Sequence, residues 1–154
     1  MVAAVPRTNP VVGAQGTINQ KWDGWLQSLV AAVNQAPQQV VALALDQQHA
    51  SISATALPTQ GWAAGVYRLS YSLVIQTVGS VSSSVTPTFG WTLGGVSFSQ
   101  SGAALTTNLT TSQQNGSVLF QIDASTDITY SVAYASNAAG SMKYALTVRL
   151  EQLP

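Results

Sequence analysis

Every second residue from Tyr67 to Ile75 is bulky and apolar (Tyr67, Leu69, Tyr71, Leu73, Ile75), while Arg68, Ser70, Ser72, Val74 and Gln76 stand between and after them. A period of two sends successive side chains to opposite faces, so this stretch fits a strand with one face buried. The pattern recurs along the chain. Phe89, Trp91 and Leu93 alternate, Gly94-Gly95 supplies a two-residue turn, and a return strand follows near Val96 to Ser99. Val118, Phe120 and Ile122 mark another strand, and Ile128, Tyr130, Val132 and Tyr134 the next. In the last, Tyr144, Leu146, Val148 and Leu150 face one way, with Lys143, Thr147, Arg149 and Glu151 on the other side. Weaker strands fit Ser51 to Leu57 and Ala104 to Thr110. About eight short strands, joined by Gly/Ser/Asn-rich turns and no helical crossover, predict an all-β antiparallel sandwich. A jelly-roll-like topology is the expected arrangement, with an immunoglobulin-like or barrel order as the alternatives.

Upstream the pattern is different. Residues 1 to about 17 hold Pro6, Pro10, Gly13 and Gly16 with little periodicity and read as an extended arm. A short helix is expected from Asn19 to Asn34, with Asn19 as N-cap and Pro37 just past its end. Trp22, Leu26, Leu29 and Val33 recur at helical spacing, and Trp25 and Val30 widen that apolar stripe. Residues 1–40 therefore read as an arm with a short helix, and residues 41–154 as the sandwich domain.

Charge decides the function class. The 154 residues include five basic and five acidic ones, a single histidine (His49) and no cysteine. Acid-base, nucleophilic and metal chemistry draw on those residue types, so the composition argues against an enzyme, a metal site or a bound cofactor. Soluble domains carry roughly 25% charged residues, and charges commonly guard sheet edges. A β-protein with so few is expected to cover its faces and edges with neighbouring subunits, where small uncharged side chains approach without desolvating ions. Arg7, Lys21, Arg68, Lys143 and Arg149 are scattered and the net charge is zero, so no nucleic-acid partner is expected. No stretch approaches the ~20 apolar residues of a membrane span, and no basic segment followed by an apolar run marks a signal peptide near Met1.

Three groups invite a chemical reading. Asp46, His49 and Ser51 include the residue types of a catalytic triad, but sequence neighbours this close rarely converge as one, and a solvated connector is expected. Asp123, Ser125 and Asp127 begin like a calcium loop, but Ile128 stands where that loop needs Gly, and a plain turn is expected instead. Trp62 lies in a turn-rich stretch outside the strand pattern, which makes it the candidate glycan contact, against the plainer role of plugging the sandwich end.

Two regions resemble small structural proteins of tailed bacteriophage virions. One is the segment from Asn9 to Leu26 (NPVVGAQGTINQKWDGWL), which looks like the arm and aromatic helix that open many fibre and tail-associated proteins. The other comprises Gly65 to Tyr71 (GVYRLSY), Gly90 to Thr92 (GWT), Asp127 to Tyr134 (DITYSVAY) and Tyr144 to Glu151 (YALTVRLE), which together look like the β-sandwich of such proteins. The resemblance implies a virion-located homotrimer, a short fibre anchored to tail or head proteins through its N-terminal arm. Val11, Val12, Ile18, Trp22, Trp25 and Leu29 are then the expected anchoring or trimer contacts. A capsid decoration protein, or a carbohydrate-binding module that meets a host surface glycan, is the alternative. The chain lacks the extended repeats of long receptor-binding fibres, which favours a stub, adaptor or decoration role.

Overall fold

The computed structural model describes residues 20–34, 38–58, 62–79, 83–106, 112–136 and 142–154. The chain divides into two compact units, Met1–Pro37 with Pro154, and Gln38–Leu153. In the first, helix α1 spans Gln20–Asn34. The second is built from β1 (Gln38–Gln48), β2 (Ile52–Ala56), β3 (Gly65–Thr77), β4 (Ser83–Leu93), β5 (Val96–Ser101), β6 (Leu105–Thr106), β7 (Gln113–Ile122), β8 (Thr129–Ser136) and β9 (Lys143–Gln152). Among the described residues, no helix is long and apolar enough to cross a membrane.

The strands form two antiparallel sheets, ordered β1-β9-β3-β7 and β2-β8-β4-β5, with the two-residue β6 pairing beside β4. Set β6 aside and the pairing has a simple rule. First pairs with last (β1·β9), second with next-to-last (β2·β8), third with sixth (β3·β7), and the middle two form a hairpin (β4·β5). This is one long antiparallel ribbon, wrapped so that β9 meets β3 and β8 meets β4. That wrapping is the jelly roll.

Alternation places the core. The inward residues of β3 and β9 (Leu69, Leu73, Ile75, Tyr144, Leu146, Val148, Leu150) are buried, facing Val85 and Phe89 of β4 and Tyr130 and Val132 of β8 across the sandwich. Each fully buried aliphatic side chain contributes about 1.5–3 kcal/mol by leaving water. Two glycines make room for Tyr71: a Cβ on Gly116, its partner across the β3–β7 ladder, would lie 2.5 Å from the ring, and one on Gly102 would overlap the hydroxyl. Tyr71 fills the space those side chains would need, and its ring packs on Phe89 at 5.1 Å.

Two differences from the sequence reading have local causes. β1 is a strand in its own right and starts at Gln38, three residues before the expected domain boundary. Its alternation is hidden by register slips between Gln39 and Val41 and between Leu45 and Gln48, where an extra residue shifts side chains to the other face. β4 begins at Ser83, six residues before Phe89, and includes Pro87, a residue that normally excludes an internal strand. The Pro87 carbonyl accepts from the Gly102 amide at 2.9 Å, on the side where β5 has ended and β6 has not begun to pair. N–H and C=O of one residue point to the same side of a strand, so the missing donor falls in that gap. The Gly94-Gly95 turn forms as expected, with φ of 60° and 74° closing Leu93 against Val96.

Tyrosine hydroxyls tie the ends of strands to loops. Tyr144 donates to the Ala50 carbonyl at 2.8 Å, Tyr67 to Ala63 at 2.9 Å, and Tyr134 to Met142 at 3.0 Å. Burial, with the Tyr134 and Tyr130 phenols adding to it, pushes Tyr144 up to about 12 from the ordinary 10.0. The folded state thus keeps a proton that the unfolded chain releases near pH 10, so stability is fully present below that pH and is lost as pH rises toward 12. Urea unfolding between pH 8 and pH 12 is expected to show that fall, and Tyr144→Phe to remove much of it, with the remainder from Tyr67, which burial also raises. An unchanged alkaline slope in Tyr144→Phe would contradict this assignment.

Candidate functional site

Among the strands, charge is confined to one of the two sheets. Asp46 stands on β1, Arg68 on β3, and Lys143, Arg149 and Glu151 on β9, all in the first sheet. Within it, Arg68 is ion-paired with Glu151, the residue directly opposite it in the β3–β9 ladder. The strands of the second sheet (ISATA, SSVTPTFGWTL, VSFSQS, LT and TYSVAYAS) carry no Lys, Arg, His, Asp or Glu at all. Along β4 and β8 its outward positions are Ser84, Thr86, Thr88, Gly90 and Thr92, and Thr129, Ser131, Ala133 and Ala135. Some hydroxyls are satisfied within the chain: Thr88 Oγ1 and Ser101 Oγ lie 2.7 Å apart, and Thr55 donates to the Ser53 carbonyl at 2.8 Å. Along its strands such a face can be covered with few orphaned donors, and the neighbouring carboxylate, Asp127, stands at its end beside Gly90, Thr92 and Thr129.

The helix supplies a second surface. Trp22 and Trp25 meet edge to face at 5.6 Å, and Ser28 and Gln27 bond back to the Trp25 carbonyl and the Asp23 carboxylate. Leu26, Leu29 and Val30 are exposed. Of the expected anchoring residues, Trp22, Trp25 and Leu29 are therefore on one helix, while Val11, Val12 and Ile18 lie outside the described residues.

Trp62 is placed in the core. It is only 7% exposed and packs edge to face on Tyr67 at 5.8 Å. Its carbonyl accepts from the Ser125 amide at 2.9 Å, which links the start of β3 to the β7–β8 turn. The ring closes one end of the sandwich and presents no stacking face to a sugar. Beyond Tyr67 a run of stacked rings continues through Phe120 (6.4 Å) and Trp91 (4.8 Å) to Phe98 (6.2 Å).

The triad-like residues are held apart by different partners. Asp46 accepts from the Gln76 amide, and His49 Nδ1 lies 3.5 Å from the Gln47 carbonyl. The Ser51 hydroxyl accepts from the Tyr134 amide at 3.0 Å and donates to its carbonyl, pinning β2 to β8. Asp123 accepts from the Gly94 amide at 2.6 Å and so braces the β4–β5 hairpin, while Thr126 donates to the Asp123 carbonyl and Ser125 takes a φ of 62°. These are turn interactions. Among the described residues no group of three or more His, Asp or Glu side chains gathers where it could hold a metal ion.

No protein-family model matches the sequence, and no curated protein is similar to it.

The sequence reading noted that charge is scarce but not that it is segregated. Strand order carries that information, since charged and uncharged strands are interleaved along the chain and separate only when the ribbon wraps. Because Trp62 fills the end of the core, Trp62→Ala is expected to cost about 3–5 kcal/mol in urea unfolding. A change below about 1 kcal/mol would place the ring outside the core.

Proposed function

We propose that the protein is a non-enzymatic structural component of a tailed phage virion, a short trimeric fibre anchored through its N-terminal arm and helix. The observation that carries this reading is the second sheet without a single charged residue. An isolated domain gains solubility and protection of its edges from surface charge. A sheet that forgoes both is suited to burial against other subunits, where charges would have to be desolvated. The jelly roll, a topology used repeatedly by viral coat proteins, supports the same reading, as does the resemblance of the arm, helix and sandwich to virion proteins.

Function on this reading is avidity. Three arms engage repeated sites on a particle, and modest individual contacts combine through effective concentration. Trp22, Trp25 and Leu29, with Val11, Val12 and Ile18 ahead of them, are the residues proposed for anchoring. The carbohydrate-binding alternative is not favoured, because the indole it relied on is in the core.

Deleting residues 1–35 leaves every strand of the sandwich intact. The truncated protein is expected to be soluble, to keep the β-rich circular dichroism of the full chain and to be missing from purified particles. Particles that still incorporate the truncated chain at the full-length level would overturn the anchoring role.

A further inference from the structure

The four sheet edges of the sandwich are not equivalent. On one side β1 carries Asp46 and slips register twice against β9, and β2 slips against β8 between Ile52 and Thr55. Bulges and charges are devices that keep an edge from pairing with another chain. On the other side, β5 and β7 use neither. Val96–Ser101 pairs residue for residue with Thr88–Leu93, and Gln113–Ile122 pairs with Gly65–Val74, both without a slip. Neither strand contains proline or a charged residue. The two edges lie on the same side, joined through the core by the stacked rings of Phe120 on β7, Trp91 on β4 and Phe98 on β5. Bulky apolar side chains are exposed there as well: Val96 is 56%, Phe98 45% and Leu119 66% exposed.

We infer that this side is where copies of the chain meet, with β5 of one protomer set against β7 of the next around a three-fold axis. The inference rests on the fibre reading above and names its contact surface. A second copy is the fitting occupant for two reasons. A closed ring of three needs two different, mutually complementary surfaces on each subunit, and among the described residues this side offers two regular, uncharged edges, one from each sheet. A foreign strand would require only one. Charge permits it: β5 and β7 carry none, and the charges nearest this side differ in sign, with Arg68 opposite Leu119 in the β3–β7 ladder and Asp123 and Asp127 beside the β4–β5 hairpin. The β5 edge is also continuous with the uncharged sheet, of which it is the outermost strand.

Three single variants test this, each read only after its fold and, at high dilution, its urea midpoint match the wild type: Phe98→Lys on β5, which also gives up the ring contact with Trp91, Leu119→Lys on β7 and, as control on the opposite side, Val40→Lys on β1, which is 40% exposed. Circular dichroism verifies the fold, and light scattering over a dilution series gives the mass. Phe98→Lys and Leu119→Lys are each expected to weaken the trimer by roughly a hundredfold or more, since each places an unpaired charge in the contact, while Val40→Lys leaves it unchanged. In the wild type, backbone amides of residues 96–101 and 113–122 are expected to gain protection from hydrogen exchange on association. Trimers that survive both β5 and β7 variants, or dissolve with Val40→Lys alone, would overturn the edge assignment while leaving the fibre reading in place. A dimeric wild type would point to β5 or β7 pairing with its own copy about a two-fold and would also overturn it. A wild type that is monomeric at every concentration would remove the fibre reading and this contact together.

Discussion

Pairing between β3 and β9 joins residues far apart in the chain, from Tyr67 against Gln152 to Ile75 against Tyr144. Both strands are internal in their sheet, and their inward side chains form much of the buried core. The remaining elements depend on this ladder: β1 and β7 extend it on either side, and the opposite sheet packs over the apolar face it presents. Such non-local pairing is slow to form because loop closure precedes the gain from contact. The local β4–β5 hairpin, closed by Gly94-Gly95, is the part of the ribbon that can form early.

Wrapping that ribbon also sorts the charges. Asp46, Arg68, Lys143, Arg149 and Glu151 belong to strands at the two ends and the third position of the ribbon, which stack into one sheet. Of the uncharged strands, β2, β4, β5, β6 and β8 stack into the other sheet, while β7 forms the uncharged edge of the first. One sheet thus keeps an ordinary solvated face, with Arg68 and Glu151 paired across it. Such an exposed pair adds little stability, but the charges keep that face wet. The other face has hydroxyls and methyl groups along its strands, with the Asp127 carboxylate only at its end, beside Gly90, Thr92 and Thr129.

Much of the sandwich was legible in the sequence because its strands alternate cleanly where both neighbours are regular. β3 and β9 are the clearest cases, and both pair without a slip through their cores. Legibility failed where geometry departs from a plain pleat. Bulges in β1 put two apolar residues, Val40 and Val41, side by side, and Pro87 disguised the first half of β4. Trp62 looked like a loop residue because nothing local announces that the turn folds back over the core. The uncharged sheet was not readable at all from order along the chain. Of the candidate anchoring set, the helical spacing of Trp22, Trp25 and Leu29 is carried by α1.

A contact between copies made by the uncharged strands β5 and β7 makes a demand on salt dependence. Contacts made by apolar and hydroxyl groups are insensitive to screening, whereas ion pairs weaken when the Debye length falls from about 10 Å at 0.1 M salt to about 3 Å at 1 M. The decisive measurement is the light-scattering mass of the full-length protein near neutral pH at those two salt concentrations. The account predicts three times 16.0 kDa at both. A mass of 16.0 kDa at both, or a trimer that dissociates at high salt, would contradict it.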